Sequence, residues 1–227
     1  MFAEGESYLI ASMEFAWSRI FLKLAGSFQT AKAKRTDKET LWVKVSHQGV
    51  IGWGEAVPMD TYHQTLESAE RTLAEIAVWF REKRFERPVA VEPIVSELLS
   101  RFDDQRATVA AVDAAIHDWI GKRFGVATTR WLGLDPHPIP ITSFTIGIDE
   151  PEALAAKVRA AASYPIFKIK VGTPHDEETL ALVRKLVPDK VIRVDANAAW
   201  TVGEALAKLH MLTAYGVEFV ESPLIAD

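Results

Sequence analysis

The chain of 227 residues contains no cysteine, which removes disulfides, thiolate nucleophiles and zinc-thiolate centres from consideration. It has no unbroken apolar run of about 18 residues, so no segment reads as a membrane-spanning helix. Positive charge is not in excess: 26 lysines and arginines stand against 31 aspartates and glutamates, a net charge of −5. That balance argues against a dedicated binder of nucleic acid or of an anionic membrane. Residues 1–12 lack the basic start and long apolar stretch of a signal peptide. They read as a frayed leader, with Met13 an alternative start because regular patterning begins directly after it. A cytoplasmic location is the expectation these absences leave. No low-complexity tract interrupts the chain, and its only repeat is a strand–helix period in the second half.

What is present is core: 48% of residues are hydrophobic, enough for a globular protein of one or two domains. Residues 15–24 and 41–45 read as strands, and 51–55, after the turn at His47, Gln48 and Gly49, completes a hairpin. Between the first two strands Lys32, Lys34 and Arg35 make a basic stretch that reads as a solvated loop. Gly52 and Gly54 are expected to permit unusual backbone angles. An amphipathic helix is predicted over 64–84, with Leu66, Leu73, Ile76, Ala77 and Phe80 on its apolar side, and a short helix after Pro93. A third helix, about 106–124, carries the stripe Val109, Val112, Ala115, Ile116, Trp119 and Ile120. Asp113, His117 and Asp118 on that helix read as hydrogen-bonding surface residues. Residues 125–140, with Gly133 and three prolines, make the best boundary between domains.

The second half is organised around Phe167-Lys168-Ile169-Lys170-Val171-Gly172. Side chains two apart on a strand share a face, so Lys168 and Lys170 point together, away from Phe167, Ile169 and Val171. Alone, such a pair reads as lysines that protect an exposed sheet edge. Its neighbours change that. Thr145, Lys170, Asp195 and Glu221 recur at intervals of 25, 25 and 26 residues, each near the end of a run rich in β-branched and apolar residues (142–148, 167–171, 191–197, 217–221). Helical patterns at 151–162, 176–186 and 202–215 separate these runs. The result is a βαβαβαβ series whose crossovers make a parallel sheet. In a β/α barrel the carboxyl ends of neighbouring strands converge on one mouth, where such folds build their sites.

Six segments carry a resemblance: GWGEA at 52–56, AAVDAAIHDWIGKRFG at 110–125, TSFTIGID at 142–149, FKIKVG at 167–172, VDANAAW at 194–200 and VESP at 220–223. With them the chain resembles the enolase superfamily, in its muconate-lactonising subgroup, and most of all the dipeptide epimerases of the L-Ala-D/L-Glu type. The resemblance implies an α/β protein: an N-terminal α+β capping domain, here 1–130, followed by a TIM-type (β/α) barrel, here strands one to four over 131–227. It implies one Mg²⁺ and abstraction of a proton beside a carboxylate through a metal-stabilised enolate. Lys170 would be the catalytic acid/base on one face of the α-carbon and Lys168 its electrostatic partner. Asp195 and Glu221 would be metal ligands, Asn197 a support behind them, and Thr145 a contact to the dipeptide backbone. One of Lys32, Lys34 or Arg35 would reach substrate from the cap.

A free lysine titrates near about 10.4 and is a poor base at neutral pH; a second ammonium and a dication nearby both disfavour its charged form. Mg²⁺ prefers carboxylate oxygens and leaves positions open for substrate. The family places a third acidic ligand on the next strand and a second catalytic lysine on the one after, whereas this sequence ends at Asp227. The expectation is therefore half a barrel, inactive alone, from a dipeptide epimerase. A muconate cycloisomerase or o-succinylbenzoate synthase would share the same scaffold. A non-catalytic half barrel closed by self-association or by a partner is the reading from a different class.

Overall fold

A computed structural model describes residues 13–82, 91–134 and 139–225. The leader expected over 1–12 and the last two positions of the helix predicted over 64–84 lie outside the described residues. The chain divides into two compact units, Met1–Leu22 with Lys38–Pro138, and Lys23–Asp37 with Ile139–Asp227.

A three-stranded sheet in the order β1 (Glu14–Gln29), β2 (Lys34–His47), β3 (Val50–Ala56) gives the first unit residues 14–22 and 38–47 of its first two strands and all of β3, followed by helices α1 (Leu66–Glu82), α2 (Val91–Arg101), α3 (Arg106–Phe124) and the single turn α4 (Thr128–Trp131). β2 and β3 pair antiparallel with His47 opposite Val50. Gln48 and Gly49, at φ 49° and 77°, form the two-residue turn that suits the twist of a hairpin. Thr65 and Ser68 cap α1 reciprocally: Ser68 N–H donates to Thr65 Oγ1 at 3.1 Å, and Thr65 N–H to Ser68 Oγ at 3.0 Å. α2 begins at Val91, so Pro93 lies inside its first turn and does not precede it; a proline costs little there because those N–H groups have no partner within the helix.

Every residue of the stripe predicted on α3 is buried, Trp119 and Ile116 completely. Helix α3 lies on β3 because Gly52 and Gly54 have no side chain. A Cβ on Gly52 would stand 2.0 Å from the Ala115 carbonyl oxygen, and one on Gly54 1.9 Å from that of Ala111. Neither glycine has a positive φ. The expectation of unusual backbone angles is thus corrected: these glycines are needed for close approach. Asp118 accepts from Trp53 N–H at 2.8 Å and from Lys122 Nζ at 2.6 Å, and His117 Nδ1 stands 2.9 Å from Asp113 Oδ1. His117 and Asp118 are the hydrogen-bonding residues expected on that helix, with Asp118 reaching β3.

The second unit is a parallel sheet in the order β4 (Ser143–Ile146), β5 (Ile166–Lys170), β6 (Val191–Asp195), β7 (Val217–Glu221), joined by α5 (Pro151–Ala160), α6 (Asp176–Leu186) and α7 (Val202–Ala214). Phe167, Ile169, Val171, Ile192 and Val194 face the helices and are buried with Leu154, Val158, Leu180 and Val183. The two outer strands are β4 and β7. Helix α7 leaves Val202 and Leu206 61% exposed and Leu209 52%, an apolar face of the kind that a barrel helix presents to its neighbour. This is the partial barrel that the strand count predicts.

Lys34 and Arg35, expected in a loop, open strand β2; only residues 30–33 leave the ladder. Their segment is anchored within the second unit. Ile148 N–H donates to Gln29 O at 2.9 Å, and Lys157 Nζ to Ser27 O at 2.8 Å. No described helix is long and apolar enough to cross a membrane.

Candidate active site

The alternation of β5 divides its side chains between two environments. Phe167 and Ile169 enter the helix-facing core at 0% exposure, so Lys168 and Lys170 must project from the opposite face. Parallel pairing brings Lys170 opposite Asp195, and Asp195 opposite Glu221. Lys170 Nζ donates to Asp195 Oδ2 at 2.7 Å and to Asn197 Oδ1 at 2.9 Å. Lys168 Nζ stands 3.0 Å from that same Asp195 oxygen and 2.7 Å from Glu221 Oε2. Asn197 N–H in turn donates to Asp195 Oδ1 at 2.9 Å, so Asp195 uses both oxygens.

Thr145 stands lower on the same face: it pairs with Lys168, two residues below the row of Lys170, Asp195 and Glu221. The 25-residue spacing that groups it with them is a spacing along the chain; the ladder between β4 and β5 sets a different level. The structure gathers Lys168, Lys170, Asp195, Asn197 and Glu221 by direct contact, with Thr145 half-buried beside Lys168. Lys32, Lys34 and Arg35 are exposed. Of the three, Lys34 contributes to the field at Asp149, just beyond β4. The hydrogen bond from Lys157 is the main influence lowering that carboxyl, against burial, which raises it.

The charges at the centre answer one another. Burial pushes the Asp195 carboxyl up, but hydrogen bonds from Lys170 and Lys168, and from the Asn197 N–H, outweigh it and hold the group below its ordinary range. Burial likewise opposes the charge on Lys168, yet the carboxylates of Glu221 and Asp195 prevail and keep its ammonium more firmly protonated than a free lysine.

Arg193 belongs to the same face. It lies two residues before Asp195, donates from Nε to Glu218 Oε2 at 2.5 Å and from Nη1 to Ser143 Oγ at 2.8 Å, and its guanidinium lies 4.9 Å from the centre of the Phe219 ring. The alternation that reveals Lys168 and Lys170 also reveals Arg193 before Asp195. The glutamate it meets is offset by an irregularity between Ile192 and Val194 in the pairing with β7, which no local pattern announces.

Backbone strain gathers at the strand ends. Asn197, Ala198 and Ser222 have φ of 50°, 56° and 43°, a left-handed conformation that costs a residue with a Cβ about 1–2 kcal/mol. Inter-loop bonds hold it, with Ala198 N–H donating to Ser222 O at 2.7 Å and Trp200 N–H to Pro223 O at 3.0 Å.

A divalent cation fits part of this donor set. Asp195 and Glu221 each direct an oxygen onto the one ammonium nitrogen of Lys168, so a positive centre already stands where both carboxylates converge, and carboxylate oxygens suit a hard cation. Among the described residues no group of three or more potential ligands completes such a site.

A two-unit α/β protein whose partial parallel barrel collects lysines and carboxylates at its strand ends defines a class of barrel proteins with a polar mouth. Comparison narrows that class. Residues 150–227 match the family described as Enolase C-terminal domain-like. The chain is 35% identical over 205 residues to an L-Ala-D/L-Glu epimerase of Bacteroides thetaiotaomicron, covering 89% of this chain and 52% of that protein. It is 32% identical to an L-Ala-D/L-amino acid epimerase of Maribacter, covering 95% of this chain and 62% of the relative. Among solved structures, the dipeptide epimerase of Enterococcus faecalis V583, complexed with Mg and L-Leu-L-Tyr, superposes with a TM-score of 0.82 at 28% identity, over 92% of this chain and 60% of that one. Over residues 150–227 the chain is thus similar to the Enolase C-terminal domain-like family, and over most of its length to dipeptide epimerases. It spans between half and two thirds of the length of the relatives it matches.

Proposed function

We propose that this chain provides the cap and the first half of the barrel of a Mg²⁺-dependent dipeptide epimerase, acting on dipeptides such as L-Ala-D/L-Glu, in the cytoplasm. In this reading the cap ends near residue 130, before the division of the compact units at Pro138 and Ile139. One observation carries the reading: two lysines share a single buried carboxylate oxygen, and one of them also meets the carboxylate on the next strand. The epimerases named above support the choice of substrate class.

In this reading Asp195 and Glu221 hold the cation, Asn197 orients Asp195 through its N–H, and Thr145 contacts the dipeptide backbone. The bound cation supplies Lewis-acid stabilisation of the negative charge that develops on the substrate carboxylate. Neutral Lys170 takes the α-proton onto Nζ, becoming the ammonium. Lys168 stays protonated and adds positive charge beside the reacting atoms. The group that returns a proton on the opposite face, and the remaining metal ligand, are expected from the part of the barrel beyond Glu221.

The test joins this chain to the carboxy-terminal region of the Bacteroides relative and follows loss of the α-proton signal of L-Ala-L-Glu in D₂O with Mg²⁺. Exchange by the joined protein, absent from the 227-residue chain alone, is the expected result. Turnover of muconate or formation of o-succinylbenzoate in place of exchange would assign the chain to the other branches that share its scaffold.

A further inference from the structure

Asp176, the first residue of α6, is 1% exposed, and its carboxylate does more than begin a helix. Oδ1 accepts from the backbone N–H groups of Gly172 at 2.9 Å and Thr173 at 2.8 Å, and from Thr173 Oγ1 at 3.3 Å. Oδ2 accepts from Lys208 Nζ at 3.0 Å. Lys208 comes from α7, one unit further along the barrel, and its ammonium lies 5.3 Å from the centre of the Trp200 ring. Trp200 is 3% exposed and belongs to the loop after β6; its backbone bonds to Pro223 and Ile225 beyond β7. One buried carboxylate therefore connects the loop that follows Lys170 with the loop that follows Asp195.

Those two loops touch with no slack. Gly172 has φ +108°, and a Cβ there would lie 2.6 Å from Ala199 Cβ and 3.1 Å from Ala196 O. Lys170 is two residues before Gly172, and Asp195 is next to Ala196. A shift of the Gly172 backbone against Ala196 therefore changes the 2.7 Å contact between Lys170 Nζ and Asp195 Oδ2 almost directly.

We propose that Asp176 is a positioning residue: through Gly172, Thr173 and Lys208 it sets where Lys170 stands against Asp195. The significance of that position rests on the epimerase reading, but the contact itself does not. A buried carboxylate bonded to two N–H groups and an ammonium is a strong local restraint, and the bonds of Asp176 run to Gly172, Thr173 and Lys208, none of them a residue of the proposed site.

The test uses the 227-residue chain and needs no turnover. An ammonium held by Asp195 and Asn197 exchanges its protons slowly with water, because exchange requires the contact to open, so ¹⁵N-detected NMR resolves its signal. Lys170→Arg, by removing that signal, identifies it. In Asp176→Asn and in Lys208→Met, proton exchange at Lys170 is expected to be at least about tenfold faster, enough to broaden the signal away, while the core resonances and the melting temperature show a folded chain. Lys208→Arg is expected to restore the slow exchange. Lys208 is about a quarter exposed (24%), so Lys208→Met decides the matter if Asp176→Asn does not fold. An unchanged Lys170 signal in either folded variant, or no slow signal in the parent chain, overturns the proposal. Absence of dipeptide exchange in the joined enzyme would count against the functional reading alone.

Discussion

Lys170 and Asp195 stand opposite one another on adjacent parallel strands, with Nζ and Oδ2 2.7 Å apart. Each group alone would be costly at so buried a position. Together they form a buried pair whose removal by halves is more damaging than its absence, and the same contact places a potential base beside a potential metal ligand.

Replacing Lys170 separates these two roles. In the joined enzyme, Lys170→Ala is expected to lower α-proton exchange by about 10³-fold, within the usual range for losing a general base. Mn²⁺ binding, read by water-proton relaxation, should be retained or tightened, since Asp195 and Glu221 remain and Asp195 loses a competing ammonium. Retained exchange would remove Lys170 from the role of base.

Lys168 competes with a cation for the oxygens it contacts on Asp195 and Glu221. Lys168→Met is expected to tighten Mn²⁺ binding about tenfold, roughly 1.4 kcal/mol, whereas Asp195→Asn and Glu221→Gln each weaken it by a similar factor or more. Titration of the four chains with Mn²⁺ checks the order, and weaker binding by Lys168→Met would show that its ammonium and the cation do not share a place.

The depressed titration of Asp195 carries a sign. Its folded-state value lies below its unfolded value, so the native state is favoured fully above the ordinary aspartate range, about 3.9. That contribution fades as pH falls through the lower native value. The parent chain should therefore melt above Asp195→Asn at pH 7, and the difference should shrink steadily from about pH 4 downwards. Melting curves of both chains between pH 7 and 2 provide the check, and a difference that grows on acidification would contradict the assigned contacts.

Gly54 tests the first unit. Its Cβ position is 1.9 Å from the Ala111 carbonyl oxygen, so Gly54→Ala forces α3 off β3 and is expected to cost about 3 kcal/mol or more. Gly203, in the first turn of α7 with nothing within 4 Å of its Cβ position, is the contrast. There Gly203→Ala should stabilise by about 0.5 kcal/mol, through helix preference and a less flexible unfolded chain. Denaturant unfolding of both variants measures the two effects, and a mild Gly54→Ala would mean that α3 can yield.

Much of this protein is legible without its fold, and what is legible is local. The apolar stripe of α3, the helix over Asp176–Leu186 and the strand Val217–Glu221 follow from periodicities held within a single stretch of chain. So does the division of β5, which buries Phe167 and Ile169 and turns Lys168 and Lys170 the other way. The common level of Lys170, Asp195 and Glu221 also follows, because three successive units keep nearly one length. What lies between segments required the tertiary structure. Thr145 pairs with Lys168 since the β4–β5 ladder, not the distance along the chain, sets its height. Gly52 and Gly54 are required by a helix about 60 residues away. Asp176 gains its meaning from Lys208, which another helix supplies. A periodic pattern is written into one segment, whereas register, close approach and the pairing of buried charge depend on which surfaces meet when the segments pack.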